Sequence, residues 1–218
     1  MLPPLKFTKT ELFFVGTIKI MSIRLIGSLC LIWLFLATAA LAQPNPSVID
    51  TKNQPLHPGQ RYYIKPAITD SGGRFTLINR NGSCPLFVGQ ENVSGPAGFP
   101  VVFTPFAKGE TIIRESKDLI VAFAASTTCV QSTAWKVGET DTKTNRRLIV
   151  TGRVEKFGSF FRIVKNSVGF NIYNLQWCPT DLCATCRFRC GSVGNLVENG
   201  KRLLALDGNV LPVVFEKA

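Results

Sequence analysis

From Tyr62 onward the chain seldom runs more than about ten residues without a turn signal, and between the turns its apolar residues fall in short alternating or continuous runs. Stretches of helical periodicity are nearly absent, so the pattern predicts a mostly β chain. Strands are expected at 62–68, 75–79, 86–90, 101–106, 111–114, 119–124, 133–137, 148–151, 160–165, 170–175, 202–206 and 211–215. The connections Asp70-Ser71-Gly72-Gly73, Asn81-Gly82, Glu198-Asn199-Gly200 and Asp207-Gly208-Asn209 carry the Gly, Asn and Asp residues that adopt the positive φ of tight hairpins. Twelve short strands favour a closed β architecture, either a barrel with hairpin caps or a two-layer sandwich. No internal repeat stands out.

The leading residues have a different character. Residues 21–42 place Arg24 before an apolar run from Leu25 to Ala37 and end on the small-residue group Ala40-Leu41-Ala42, the layout of a secretory signal peptide. The uncharged run is shorter than the ~20 apolar residues of a membrane span, which favours a cleaved leader over a signal anchor. Cleavage after Ala42 begins a mature domain at Gln43 that extends to Ala218, and residues 1–20 read as an upstream extension because Met21 opens its own leader. The expected destination is the secretory route, to the apoplast, cell wall or vacuole.

Secretion decides how the cysteines are read. Cys30 leaves with the leader, and Cys84, Cys129, Cys178, Cys183, Cys186 and Cys190 remain, an even number in an oxidising compartment. The clustered Cys178, Cys183, Cys186 and Cys190 resemble a zinc or redox motif, yet behind a signal peptide three disulfides are favoured over a four-cysteine zinc site. Spacing alone does not choose among the connectivities. The whole sequence holds one histidine, His57, so metal sites needing two imidazoles are excluded, and a Ser/His/Asp or Cys/His centre has only that residue to use. No acid/base pair sits at catalytic spacing, and neither an enzyme, a metal nor a cofactor is expected.

The charge is basic. Removing residues 1–42 takes Lys6, Lys9, Lys19, Arg24 and Glu11 from 25 basic and 14 acidic residues, and leaves a formal +8. The cations are spread among the strand-like runs, so a solvated surface is favoured over a nucleic-acid site, and no nucleic-acid partner is expected. Asn81-Gly82-Ser83 and Asn92-Val93-Ser94 are glycosylation sequons in turn-rich stretches, which makes Asn81 and Asn92 candidate glycan sites.

Certain segments, taken together, resemble the plant Kunitz-type (soybean trypsin inhibitor) family, most closely its miraculin-like branch. They are Val48-Ile49-Asp50, Gln54-Pro55-Leu56, Tyr62-Tyr63-Ile64-Lys65-Pro66-Ala67, Asn81-Gly82-Ser83-Cys84-Pro85-Leu86 and Ser132-Thr133-Ala134-Trp135-Lys136-Val137, followed by Cys178-Pro179-Thr180, Cys190-Gly191-Ser192-Val193-Gly194, Arg202-Leu203-Leu204-Ala205-Leu206 and Val213-Val214-Phe215. The similarity spans about 48–217. It implies a disulfide-stapled β-trefoil of twelve strands, a closed barrel with a hairpin cap, in which Cys84 pairs with Cys129, Cys178 with Cys190 and Cys183 with Cys186.

The resemblance also implies a monomeric secreted inhibitor of a serine endopeptidase, trypsin-like or elastase-like. Such inhibitors present an exposed, extended loop to the protease cleft, and a loop ordered on folding has little entropy left to lose on binding. Aligned on Pro105, that loop is Thr104, Pro105, Phe106, Ala107, Lys108, Gly109, Glu110 and Thr111. The residue filling the enzyme's specificity pocket, P1, is then Ala107, or Lys108 if the loop shifts by one; a basic P1 suits trypsin and a small one elastase. Pro58 stands where the family often has an asparagine bonding the loop carbonyls, and Gly109 adds freedom to the loop. His57 is expected to be a solvated turn residue, with partial replacement of the asparagine as the other reading. These departures leave a second function open: a miraculin-like binding or defence protein on the same scaffold, directed at a cysteine protease, a carbohydrate or a receptor.

Overall fold

Alternation of side chains across each strand sets the architecture. In Arg61–Pro66 (β1), Tyr62 and Ile64 are buried while Tyr63 and Lys65 face outward. Leu119–Phe123 (β5) repeats the pattern with Leu119, Val121 and Phe123, and Phe161–Lys165 (β8) with Phe161 and Ile163. These positions belong to one continuous core in a computed structural model of the protein, which describes residues 44–218 apart from 69, 130 and 131, and Trp33 ahead of them. The expected extension 1–20 and leader 21–42 lie, Trp33 aside, outside the described residues.

Asn45–Ala218 form one unit, in which the described residues make strands, bridges and turns but no helix. The remaining strands are Phe75–Ile78 (β2), Phe87–Gln90 (β3), Val101–Pro105 (β4), Ala134–Thr140 (β6), Arg147–Gly152 (β7) and Tyr173–Trp177 (β9), followed by Gly191–Ser192 (β10), Gly194–Glu198 (β11), Lys201–Ala205 (β12) and Val213–Lys217 (β13). All thirteen join one sheet by antiparallel pairing.

Two sets of pairings organise the sheet. From β1 the ladder passes through β4, β5, β8, β9 and β13 and returns to β1. Six of the remaining seven strands form hairpins β2–β3, β6–β7 and β11–β12, whose second strands pair with one another, Phe87 with Val150, Leu148 with Ala205 and Leu203 with Gly89, while β10 pairs with β9. A small separate core of Leu148, Leu203 and Ala205 sits where they meet, flanked by Ile78, Phe87 and Leu196. Arg80 ties the three hairpins together, contacting Asp141 Oδ1 at 2.7 Å and Glu198 Oε2 at 2.6 Å. The threefold recurrence of this unit has no counterpart in an evident sequence repeat, because each copy fills its positions with different residues.

Eleven of the twelve expected runs are strands, and two strands were not expected. Residues 111–114 are the exception: Arg114 makes an isolated bridge with Ser47, and Ile113 bonds the backbone of Val48 and Leu56. The run is apolar because it packs on the amino-terminal segment, so the count of twelve is corrected at this point. β11 escaped because Gly194-Asn195-Leu196-Val197-Glu198 carries few apolar residues and is ordered by pairing along its whole length with β12. The intervening turn, Asn199-Gly200, has φ of 49° and 73°, the left-handed pair that a two-residue hairpin connection needs.

Six cysteines are consumed in three disulfides, Cys84–Cys129, Cys178–Cys190 and Cys183–Cys186. The first links the β2–β3 and β5–β6 connections across 45 residues of sequence. The other two close the irregular segment between β9 and β10.

Candidate functional site

The β4–β5 connection leaves the sheet at Pro105, which still pairs with Leu119. Phe106, Ala107, Lys108 and Gly109 are exposed, as is Thr111, while Glu110 is half-buried. The first leg is held where Phe106 N donates to Asp118 O at 2.9 Å and the Phe106 ring meets Phe160 edge-on at 5.6 Å. The returning leg is fixed by buried Ile113, whose N–H donates to Leu56 O at 2.8 Å and whose carbonyl accepts from Val48 N at 2.9 Å. Arg114 Nε reaches Glu110 Oε2 at 3.2 Å, and its Nη1 donates to Asn45 O at 3.0 Å. Both ends are therefore anchored and the tip stands clear.

The tip differs in one respect from an extended substrate. Lys108 and Gly109 form a turn, with Gly109 at φ +83° and open space around its Cα. A side chain here would meet no neighbour, so the glycine answers to backbone conformation alone.

The amino-terminal turn supports the loop from below. Pro58 and Gly59 occupy the centre of a β-turn, with Gly59 at φ +76° and Gln60 N donating to His57 O at 3.4 Å, the geometry for which Pro-Gly is suited. Pro58 makes no side-chain hydrogen bond, but His57 Nδ1 lies 2.8 Å from Thr111 O. A carbonyl can only accept, so Nδ1 carries the proton in this contact. Of the two readings of His57, the contact with a loop carbonyl is made, at a half-exposed position: the turn delivers the imidazole there because Leu56 is locked in the core beside Ile113. Tyr62 fixes the turn's other side, accepting from His57 N at 3.0 Å and donating to Gln60 Oε1 at 3.2 Å. Burial pushes its phenol above the ordinary value, partly offset by the His57 N–H bond.

A second irregular segment faces the loop. Between Phe106, Ala107 and Ile112 on one wall and Asp181 and Ala184 on the other lies a cleft of about 430 Å³, floored by Leu119. At its base, Asp118 Oδ2 accepts from Asp181 N at 2.7 Å and Leu182 N at 3.1 Å, and Asp118 N donates to Asp181 Oδ2 at 3.0 Å. Oδ1 faces the Arg162 guanidinium. Sequence reading passed over Asp118, since an acid before an apolar run reads as a turn residue; so did it Arg114 and Glu110 as anchors.

The other candidate residues lie elsewhere. Asn81 is exposed in the β2–β3 connection, and Asn92 is exposed with its Nδ2 donating to Gly200 O at 2.8 Å. Neither approaches the loop through any hydrogen bond among the described residues. No group of three or more His, Cys, Asp or Glu side chains among the described residues is arranged to hold a metal.

Comparison with known proteins places this arrangement. Residues 48–217 match the family model of legume Kunitz trypsin and protease inhibitors. The chain belongs to the Kunitz family. A Medicago truncatula protein named Kunitz type trypsin inhibitor 104 is 51% identical over 191 residues, covering 85% of this chain and 93% of that protein. Miraculin from Synsepalum dulcificum is 33% identical over 195 residues, covering 84% and 87% of the two chains. Among solved structures, a Kunitz-type cysteine protease inhibitor from potato is 29% identical with a TM-score of 0.70, covering 80% of this chain and 98% of its own. The Kunitz chain described here thus combines a match over 48–217 with an all-β, disulfide-bonded fold in which loop 104–111 has an exposed tip and anchored ends.

Proposed function

We propose that this protein is a secreted inhibitor of a trypsin-like serine endopeptidase, and that it presents Lys108 to the enzyme's acidic specificity pocket. The observation that carries this reading is the pairing of an exposed tip with anchored ends. Phe106 and Ile113 are tied to backbone on both legs, and His57 bonds the carbonyl of Thr111 between them. Ordering the loop has already cost its entropy on folding, so contacts made by the tip are retained as affinity. The trypsin-inhibitor names of the Medicago relatives favour a basic P1 and hence Lys108 over Ala107.

The scaffold we assign is a β-trefoil. Its support is the circuit of pairings β1–β4–β5–β8–β9–β13, which gives a closed six-stranded barrel, and the three mutually paired hairpins, which give the cap. One barrel, with all six cysteines among the described residues paired within the chain, fits a monomer that leaves its leader behind at Ala42.

Titration of the purified disulfide-bonded protein against trypsin, chymotrypsin, elastase and a papain-type enzyme tests the reading. Stoichiometric inhibition of trypsin, lost in Lys108→Ala, supports it. Preferential inhibition of elastase would move P1 to Ala107. Absence of inhibition of any serine protease would overturn it in favour of a binding role.

A further inference from the structure

Asp118 has a position that its sequence context does not announce. It lies one residue before β5, is 1% exposed, and its polar groups are used by three parts of the chain. Its carbonyl accepts the N–H of Phe106, the first residue of the exposed tip, at 2.9 Å. Its N–H donates to Asp181 Oδ2 at 3.0 Å, and Oδ2 accepts the backbone N–H groups of Asp181 and Leu182 at 2.7 and 3.1 Å. Oδ1 accepts from Arg162 Nε at 3.2 Å and from Nη2, while that same Nη2 donates to Thr180 Oγ1 at 2.8 Å. Asp181 also faces Lys117 Nζ at 3.6 Å, the residue beside Asp118.

Three elements therefore meet on one buried residue: the base of the 104–111 loop on its backbone carbonyl, and β8, through Arg162, and the start of the disulfide-bonded segment on its carboxylate. That segment has few buried residues of its own. Between Cys178 and Cys190 only Pro179 is buried. Its shape depends on the Cys178–Cys190 and Cys183–Cys186 bonds and on the Asp118 contacts. A buried carboxylate with an arginine and two amide donors is fully satisfied, and loss of any one partner leaves polar groups stranded in the interior. Strain or loosening on either side is then transmitted to the other.

We propose that Asp118 is a positioning residue for protease capture, through which the Cys178–Cys190 segment sets the rigidity of residues 106–113. This inference rests on the reading of 104–111 as the inhibitory loop for its functional consequence, though the mechanical coupling stands apart from it. The disulfides of the segment lie outside the loop and stiffen it across the clamp. A loosened base restores conformational freedom to the tip, which then has more entropy to lose on binding, and the complex dissociates faster.

Amide hydrogen exchange of the intact protein tests the coupling without reference to any protease. Asp118→Asn, and separately the pair Cys178→Ser with Cys190→Ser, should each speed exchange at 106–113 by about tenfold or more, while amides in β1 and β13 stay protected. Combining the changes should add little to either, because both cut the same linkage. If Asp118→Asn fails to fold, Asp181→Ala, which removes only the side-chain arm of the clamp, should give a smaller acceleration at the same amides. Unchanged exchange at 106–113 in the folded variants, or fully additive effects, would overturn the proposal. In the inhibition assay the variants should raise the dissociation rate by about tenfold. If the parent protein inhibits no protease, the exchange result still decides the coupling, and the functional reading falls by itself.

Discussion

The two irregular segments that flank the cleft, 104–113 and 178–190, achieve order by different means. The first contains no cysteine and is held by hydrogen bonds at its ends: Phe106 to Asp118, Ile113 to Leu56 and Val48, Thr111 to His57. The second is closed by two disulfides with sequence separations of 12 and 3 residues. Cross-linking constrains a segment that lacks a core, chiefly by restricting the unfolded chain. Hydrogen bonds from beneath leave the outer surface of the tip open, and each bond fixes one backbone group. The two segments thus divide the work between an open surface and a stiff support.

The comparison breaks most decisively at Lys108. If the tip is the part that contacts the enzyme, Lys108→Ala weakens trypsin inhibition by about a hundredfold, ~3 kcal/mol, with no change in thermal unfolding. Equal inhibition by the variant would remove the functional distinction between the segments. Next in size is the staple: Cys178→Ser with Cys190→Ser should lower unfolding free energy by about 2–3 kcal/mol, and loss of Cys183–Cys186 by less, since the shorter loop restrains the unfolded chain less. Urea denaturation of both pairs checks this order. A third test concerns the support from below. His57→Ala should cost about 1 kcal/mol of inhibitory binding, roughly fivefold, and leave the secondary structure intact by circular dichroism. An effect on folding as large as on binding would instead make His57 a structural residue.

The smallest effect separates both segments from the hairpin cluster. Arg80 holds the Asp141 carboxyl down to about 2, helped by the Thr144 hydroxyl and N–H, and holds Glu198 below its usual range through a side-chain hydrogen bond. Both are depressed carboxylates, so their stabilisation is present above the unfolded value of about 4 and is lost as pH falls through the folded values. Stability measured by urea unfolding should decline as pH drops from about 4 toward 2, and Arg80→Gln should flatten that decline. Because neither the loop hydrogen bonds nor the disulfides include this pair, exchange at 106–113 should be unaltered by Arg80→Gln.

Much of the fold was legible because its signals are local. Alternation in Arg61–Pro66 and Leu119–Phe123, and the Asn199-Gly200 turn, state their geometry within a few residues. Where a run was misread, the physical cause lay far along the chain: 111–114 is apolar because it covers the amino-terminal segment, and β11 is a strand because β12 lies beside it. The candidate loop was found through resemblance aligned on Pro105. Of its supports, His57 stands in the sequence as one of two open readings, while Asp118 is not visible there because its partner Asp181 is 63 residues away.

The sequence alone determined the β class and the Kunitz relationship carried by motifs from Val48 to Phe215. Tertiary structure alone decided that three hairpins with dissimilar residues converge on Leu148, Leu203 and Ala205, that a histidine in a Pro-Gly turn reaches a loop carbonyl, and that one buried aspartate joins the loop, through its carbonyl, to the stapled segment, through its carboxylate. Side-chain period and turn conformation are properties of neighbouring residues, whereas the partner of a buried charge or a lone imidazole is chosen by which distant segments the strand pairing brings beside it.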